Sequence, residues 1–154
     1  MEYRGTLIKT ELKELGITYL QGMLHTYAFL NYISDLVYSY DIVEIAKGDS
    51  DCISAIKDNL DSFSKEQINL ESITSEKFQT SLRNWLFENT AVSEYWITKE
   101  VVSFYNLLEN ITNFQSIYVI NGLDPKSYKF GVDFEFFVLE TDTKLFVIYF
   151  SYTD

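Results

Sequence analysis

Cysteine, histidine and proline each occur once in this chain, and glycine only six times. A lone cysteine, Cys52, forms no internal disulfide, so packing must hold the fold. One histidine and one cysteine exclude a Cys/His-rich zinc site. So little glycine and proline leaves no flexible linker and few irregular loops. Apolar runs stay well short of the ~18 residues that a membrane span needs. Met1 is followed by Glu2 and Arg4 rather than by a signal-peptide core, which points to a reducing cytoplasm. The chain also lacks a Gly-x-Ser-x-Gly elbow, a phosphate-cradling glycine loop and a Gly-x-Gly-x-x-Gly turn. Bases are scarce as well: twelve stand against 23 acids, for a net charge of −11. Nucleic acid and anionic membranes are poor partners for such a field, since both are bound through Lys and Arg. A basic protein is a good one, drawn in by steering.

What is present is the material of a packed domain. The chain has 154 residues, 47% apolar and 17% aromatic, enough for one domain over 1–154 with a real core. Leu7, Ile8, Leu12 and Leu15 mark a short helix that Gly16 stops. Ile17, Leu20, Leu24, Tyr27, Leu30, Ile33, Leu36 and Val37 recur at steps of three and four, predicting helix over 16–47, whole or broken once. "GDSDC" then supplies turn and N-cap residues for a helix over 51–61. Residues 61–77 read as a polar connection. Phe78, Leu82, Trp85 and Leu86 mark a helix from Ser75. Val92, Tyr95, Trp96, Val101, Val102, Tyr105 and Leu108 mark another over 91–112.

The period changes after that. "SIYVIN" is a strand, "GLDPK" a turn, and from Tyr128 the pattern alternates by two. Phe130, Phe134 and Phe136 share one face; Asp133, Glu135, Phe137 and Leu139 share the other. "ETDTK" turns the chain into a last strand from Leu145. Helices first and an antiparallel meander of about three strands last predict an α+β fold, with the helices on one face of the sheet. The phenylalanine face meets the helices, and the two carboxylates stand on the solvent side near the middle of the sheet.

No constellation reads as catalytic. His25 sits in a helix pattern. Asp51 beside Cys52 raises a thiol pKa rather than lowering it. Residues 49–61 echo a calcium loop, but place isoleucine and alanine where oxygen ligands belong. Asp133 and Glu135 share one strand, whereas an acid pair for glycoside chemistry needs facing walls. No cofactor or metal is expected, and no enzyme. The acids themselves are the signal: residues 35–76 carry ten of them against three lysines. Two acidic regions become candidates for partner binding. One is the helix with Asp51, Asp58 and Asp61. The other is the sheet face with Asp133, Glu135 and Phe137, together with Glu140 and Asp142 near its turn.

In size, acidity and absence of catalytic motifs the chain resembles the immunity proteins of bacterial toxin systems, including those of contact-dependent growth inhibition. The resemblance implies a toxin domain as partner, often a nuclease with a basic active site, neutralised without chemistry. The alternative is a small-molecule-binding or structural module whose aromatics line a pocket between sheet and helices.

Overall fold

The computed structural model describes residues 9–32, 35–89 and 91–154, with side chains from residue 16 onward. The architecture is α+β. In chain order the elements are α1 (Lys9–Leu30), β1 (Val37–Ala46), α2 (Cys52–Asn59), β2 (Asn69–Ser72), α3 (Ser75–Leu86), α4 (Glu94–Thr112), β3 (Ser116–Asn121), β4 (Asp133–Glu140) and β5 (Lys144–Thr153). The strands form one antiparallel sheet in the order β1-β5-β4-β3-β2.

The expected meander β3-β4-β5 is the centre of this sheet, but β1 and β2 flank it, giving five strands among the described residues rather than about three. The helix expected over 16–47 ends at Leu30. Val37–Ala46 instead pairs along its whole length with β5. Its apolar residues fit a step of three or four by coincidence; the physical pattern is period two, with Tyr38, Tyr40 and Ile42 buried in turn. The "polar connection" hides β2, a short edge strand mostly exposed on both faces and therefore without an alternating signature. Gly16 interrupts α1 as expected, with φ 65°. Leu7, Ile8 and Ile33 lie outside the described residues.

Helices cover both faces of the sheet rather than one. On the first face, α1, α3 and α4 pack Leu20, Leu24, Phe78, Leu82, Phe104 and Leu108 against Tyr40, Phe137, Ile148 and Phe150. On the second, α2 and the 3-10 turn Asp61–Phe63 pack Ile56 and Phe63 against Phe136, Val138, Leu145 and Val147. Central strands covered on both sides need apolar residues at every position. That explains why Phe136–Leu139 and Leu145–Ile148 are unbroken buried runs. Each fully buried side chain of this kind stabilises by about 1.5–3 kcal/mol.

The phenylalanine face meets a helix as expected, but the carboxylate face is covered as well rather than left to solvent. Phe130, Phe134 and Phe136 meet α2 and the 3-10 turn, with Phe63 stacked on Phe130 at 5.3 Å. Asp133 and Glu135 point to the side of the three-helix layer, in line with Phe137 and Leu139. They lie at the start of β4, not at the middle of the sheet. Gly131 makes that start possible. Its φ is 117°, and a Cβ there would stand 2.7 Å from the carbonyl oxygen of Tyr152.

Candidate functional site

The register defines two ends of the sheet. At one, Val37 pairs with Thr153 and Asp133 with Tyr152; at the other, Ala46 pairs with Lys144 and Glu140 with Leu145. The first end holds the candidate site, an acid-lined cleft of about 300 Å³ bounded by Asn84, Trp85, Glu88, Asp133, Phe134 and Glu135.

Asn31 builds this end. It is fully buried, and its side-chain amide donates to the carbonyls of Tyr27 (2.9 Å) and Leu86 (2.8 Å). Its side-chain oxygen accepts from the backbone N–H of Asn89 at 3.0 Å. One side chain thus satisfies groups at the ends of both α1 and α3, which would otherwise be orphaned. The indole of Trp85, at the last turn of α3, packs on both Tyr40 and Phe150, stacked on the latter at 5.6 Å. Its Nε1–H donates to Glu135 at 2.9 Å. Glu88, just beyond α3, accepts from the Tyr38 hydroxyl at 3.4 Å.

Burial pushes the Glu135 carboxyl above the usual carboxylate range, and the charge on Asp133 adds to the effect. Hydrogen bonds from Trp85 and Ser81 and the charge of Lys77 pull the other way. The neighbouring Tyr152 hydroxyl is also pushed up, first by burial and then by the negative field of Asp133 and Glu88. The three carboxylates therefore act on one region. Among the described residues, no ion pair joins any of them to a base; the ion pairs lie elsewhere, at Lys47–Glu140, Arg83–Glu94, Lys129–Glu66 and Lys144–Glu44. Nor, among the described residues, does any group of three or more His, Cys, Asp or Glu stand close enough to hold a metal ion. The arrangement suits a cation of side-chain size, a guanidinium or an ammonium.

The remaining expected residues do not join this cleft. Phe137 is only 1% exposed and packs on Phe78 and Phe150, so it belongs to the core and not to a docking face. Asp51 caps α2, its Oδ1 accepting from the backbone N–H of Ser54 at 2.8 Å. Asp58 and Asp61 are exposed on α2 and the turn after it, over the opposite face of the sheet. Asp142 is exposed in the β4–β5 turn at the far end. Glu140 is half-buried there and takes the Lys47 ammonium, the Cys52 thiol (3.0 Å) and the Tyr118 hydroxyl (3.0 Å). Those donors hold its carboxyl below the usual range, led by Lys47. Burial, reinforced by Glu140, pushes the Cys52 thiol up to about 11, so it carries almost no thiolate at neutral pH. The acid-rich 35–76 segment is not one patch either, since Asp41 and Glu44 lie on β1 and Glu71 on β2, at opposite edges of the sheet.

Glu88, Asn84 and Trp85 are the site residues that sequence reasoning missed. Trp85 reads as a core marker, and Glu88 as an ordinary surface acid; only the fold brings them to β4. His25 pairs with Asp41 at 3.4 Å at an exposed position, and Cys52 is engaged with Glu140. No family model matches the chain, and no curated protein or solved structure proved similar to it.

Proposed function

We propose that the chain is a non-enzymatic acidic binding protein, and in its most specific form a cytoplasmic immunity protein that neutralises a basic toxin domain of a bacterial system. The observation that carries this reading is the convergence of Glu88, Asp133 and Glu135 on one open cleft, with no ion pair to any of them among the described residues. An unpaired cluster of like charge is repulsive by itself. A cationic side chain entering the cleft relieves that repulsion, and it takes the place that a phosphate would have in a nuclease site. Net charge steers the encounter, and desolvated charge pairs then slow release. The alternative, a small-molecule site, has a candidate in a cleft of about 510 Å³ between α1 and β1, lined by Ala28, Phe29, Tyr32, Val37, Tyr38 and Tyr40. Its charged groups, His25 and Asp41, already pair with each other, and deeper between sheet and helices Phe78, Phe104, Phe137 and Phe150 fill the space.

The test is affinity capture from the protein's own source at low salt, followed by reconstitution. The expected result is one cationic protein retained at equal stoichiometry, released by added salt, whose toxicity falls to zero at one equivalent of this chain. Turnover of a substrate by the purified chain would overturn the reading. So would retention of the captured protein that added salt does not weaken.

A further inference from the structure

We infer that the end of the molecule surrounding this cleft is the docking surface, and that its occupant is an arginine- or lysine-bearing segment of a cationic protein, seated on aromatic anchors. The inference rests on the binding function proposed above and adds where, and by what chemistry, the partner is held.

Most of the exposed large apolar side chains are gathered, with Tyr19 early in α1 and Tyr128 in the β3–β4 loop as exceptions. Phe29 (78% exposed) and Tyr32 lie at the end of α1, Val37 begins β1, and Tyr95 (61%) and Trp96 (56%) begin α4. Val132 precedes β4. The fold gathers all of these at one end. Asn31 ties the end of α1 to Leu86 and Asn89, Tyr38 of β1 bonds Asn89 and Glu88, and Arg83 in the last turn of α3 pairs with Glu94 in the first turn of α4. The opposite end, around Lys47, Glu140 and Asp142, carries none of the exposed large apolar residues described. Single exposed apolar residues need no explanation, but a gathered set does.

Helix α4 shows the same thing locally. Ile97, Val101, Phe104 and Leu108 bury one stripe, while Tyr95, Trp96 and Val102 form a second apolar face left open. A helix apolar on two sides has a second neighbour to meet.

Charge decides which neighbour. The cleft of Glu88, Asp133 and Glu135 opens at the same end, lined by Trp85 and Phe134 rather than by these exposed rings. A second copy of the chain would bring six carboxylates together and set one charge of −11 against another. A cationic segment is complementary to both features. The rings themselves already take a cation, since Lys99 Nζ lies 4.8 Å from the Tyr95 centroid and 5.8 Å from that of Trp96. Aromatic anchors beside paired charges are the composition of binding hot spots.

A synthetic twelve-residue peptide of alternating arginine and alanine, titrated into the isotope-labelled full chain, tests the placement. Both tryptophans, Trp85 and Trp96, stand at this end, so fluorescence gives a second readout. The expected result is amide shifts concentrated in Val37–Tyr38, Glu88–Trp96 and Val132–Glu135. Affinity should fall at least tenfold in Glu88→Gln/Asp133→Asn and in Trp96→Ala, and less than twofold in Asp58→Asn/Asp61→Asn. Shifts centred on 51–61, or affinity unchanged in the first two variants, overturns the inference. Concentration-dependent broadening at these same residues without peptide also overturns it, because a second copy is then the occupant. If the captured natural partner is lost only with the Asp58/Asp61 variant, the binding function stands and this placement fails.

Discussion

Glu135 is the residue whose chemistry depends most on its surroundings. Its folded carboxyl is raised above the ordinary range, chiefly by burial. The stability this proton contributes is fully present below the ordinary carboxylate value, and it is lost as pH rises through the raised value. At neutral pH the ionised group is therefore a net cost to the fold. Glu135→Gln keeps an oxygen for the Trp85 indole and removes that cost. The expected result is a higher melting temperature than the parent at about pH 7 and no difference near about pH 3.5, where both are neutral. A lysine at 135 would instead bury a cation under Trp85, so charge reversal belongs at Asp133 and Glu88, which are exposed. Cys52 makes a second residue-scale prediction. A half-buried thiol donating to Glu140 and pushed up to about 11 should resist alkylation in the folded protein at mildly alkaline pH and react once the chain is unfolded. Rapid labelling of the native protein would contradict that assignment.

At the scale of elements, the end of the sheet depends on two local devices. Asn31→Ala removes donors and an acceptor from groups that have no water to turn to, and should destabilise by about 2 kcal/mol in denaturant titration. Gly131→Ala forces a Cβ toward the Tyr152 carbonyl at a φ that side chains avoid, and should cost about 1–3 kcal/mol. It should also weaken partner binding, because it moves Asp133. The legibility of the sequence differs from element to element for the same physical reasons. Helices α2 and α3, strands β3 to β5 and the break at Gly16 were readable, because each carries a cap, a turn residue or a clear period. Strand β1 was not, since Ile33, Leu36 and Val37 continue the helical spacing of α1 into a segment whose hydrogen bonds go to β5. For β4, the alternation correctly divided its residues between two faces but cannot say which face meets which helices. Phe137 and Glu135 share a side, yet one lies deep in the core under Phe78 and the other at its rim, beside Lys77, Ser81 and Trp85 of α3. Trp96 marks the helix over 91–112 together with Val101, and only packing shows that Ile97 and Val101 are buried while Trp96 is exposed.

On the scale of the whole molecule, the two ends of the sheet differ in kind. One is closed by an internally satisfied network, Lys47 and Tyr118 on Glu140, and offers little to a partner. The other combines exposed aromatics with Glu88, Asp133 and Glu135, none of which forms an ion pair among the described residues. The net charge of −11 acts on both, but only at the second end is it focused beside surface that can be desolvated. On the proposed placement, the acidic residues on α2 add to long-range steering without forming the contact. The measurement that tests this most directly is the affinity of the captured cationic partner as a function of salt, for the parent and for Glu88→Gln/Asp133→Asn. The account predicts that the parent weakens steeply with salt, and that the variant binds at least tenfold more weakly with a shallower slope. Equal affinity and equal slope for the two proteins would contradict it.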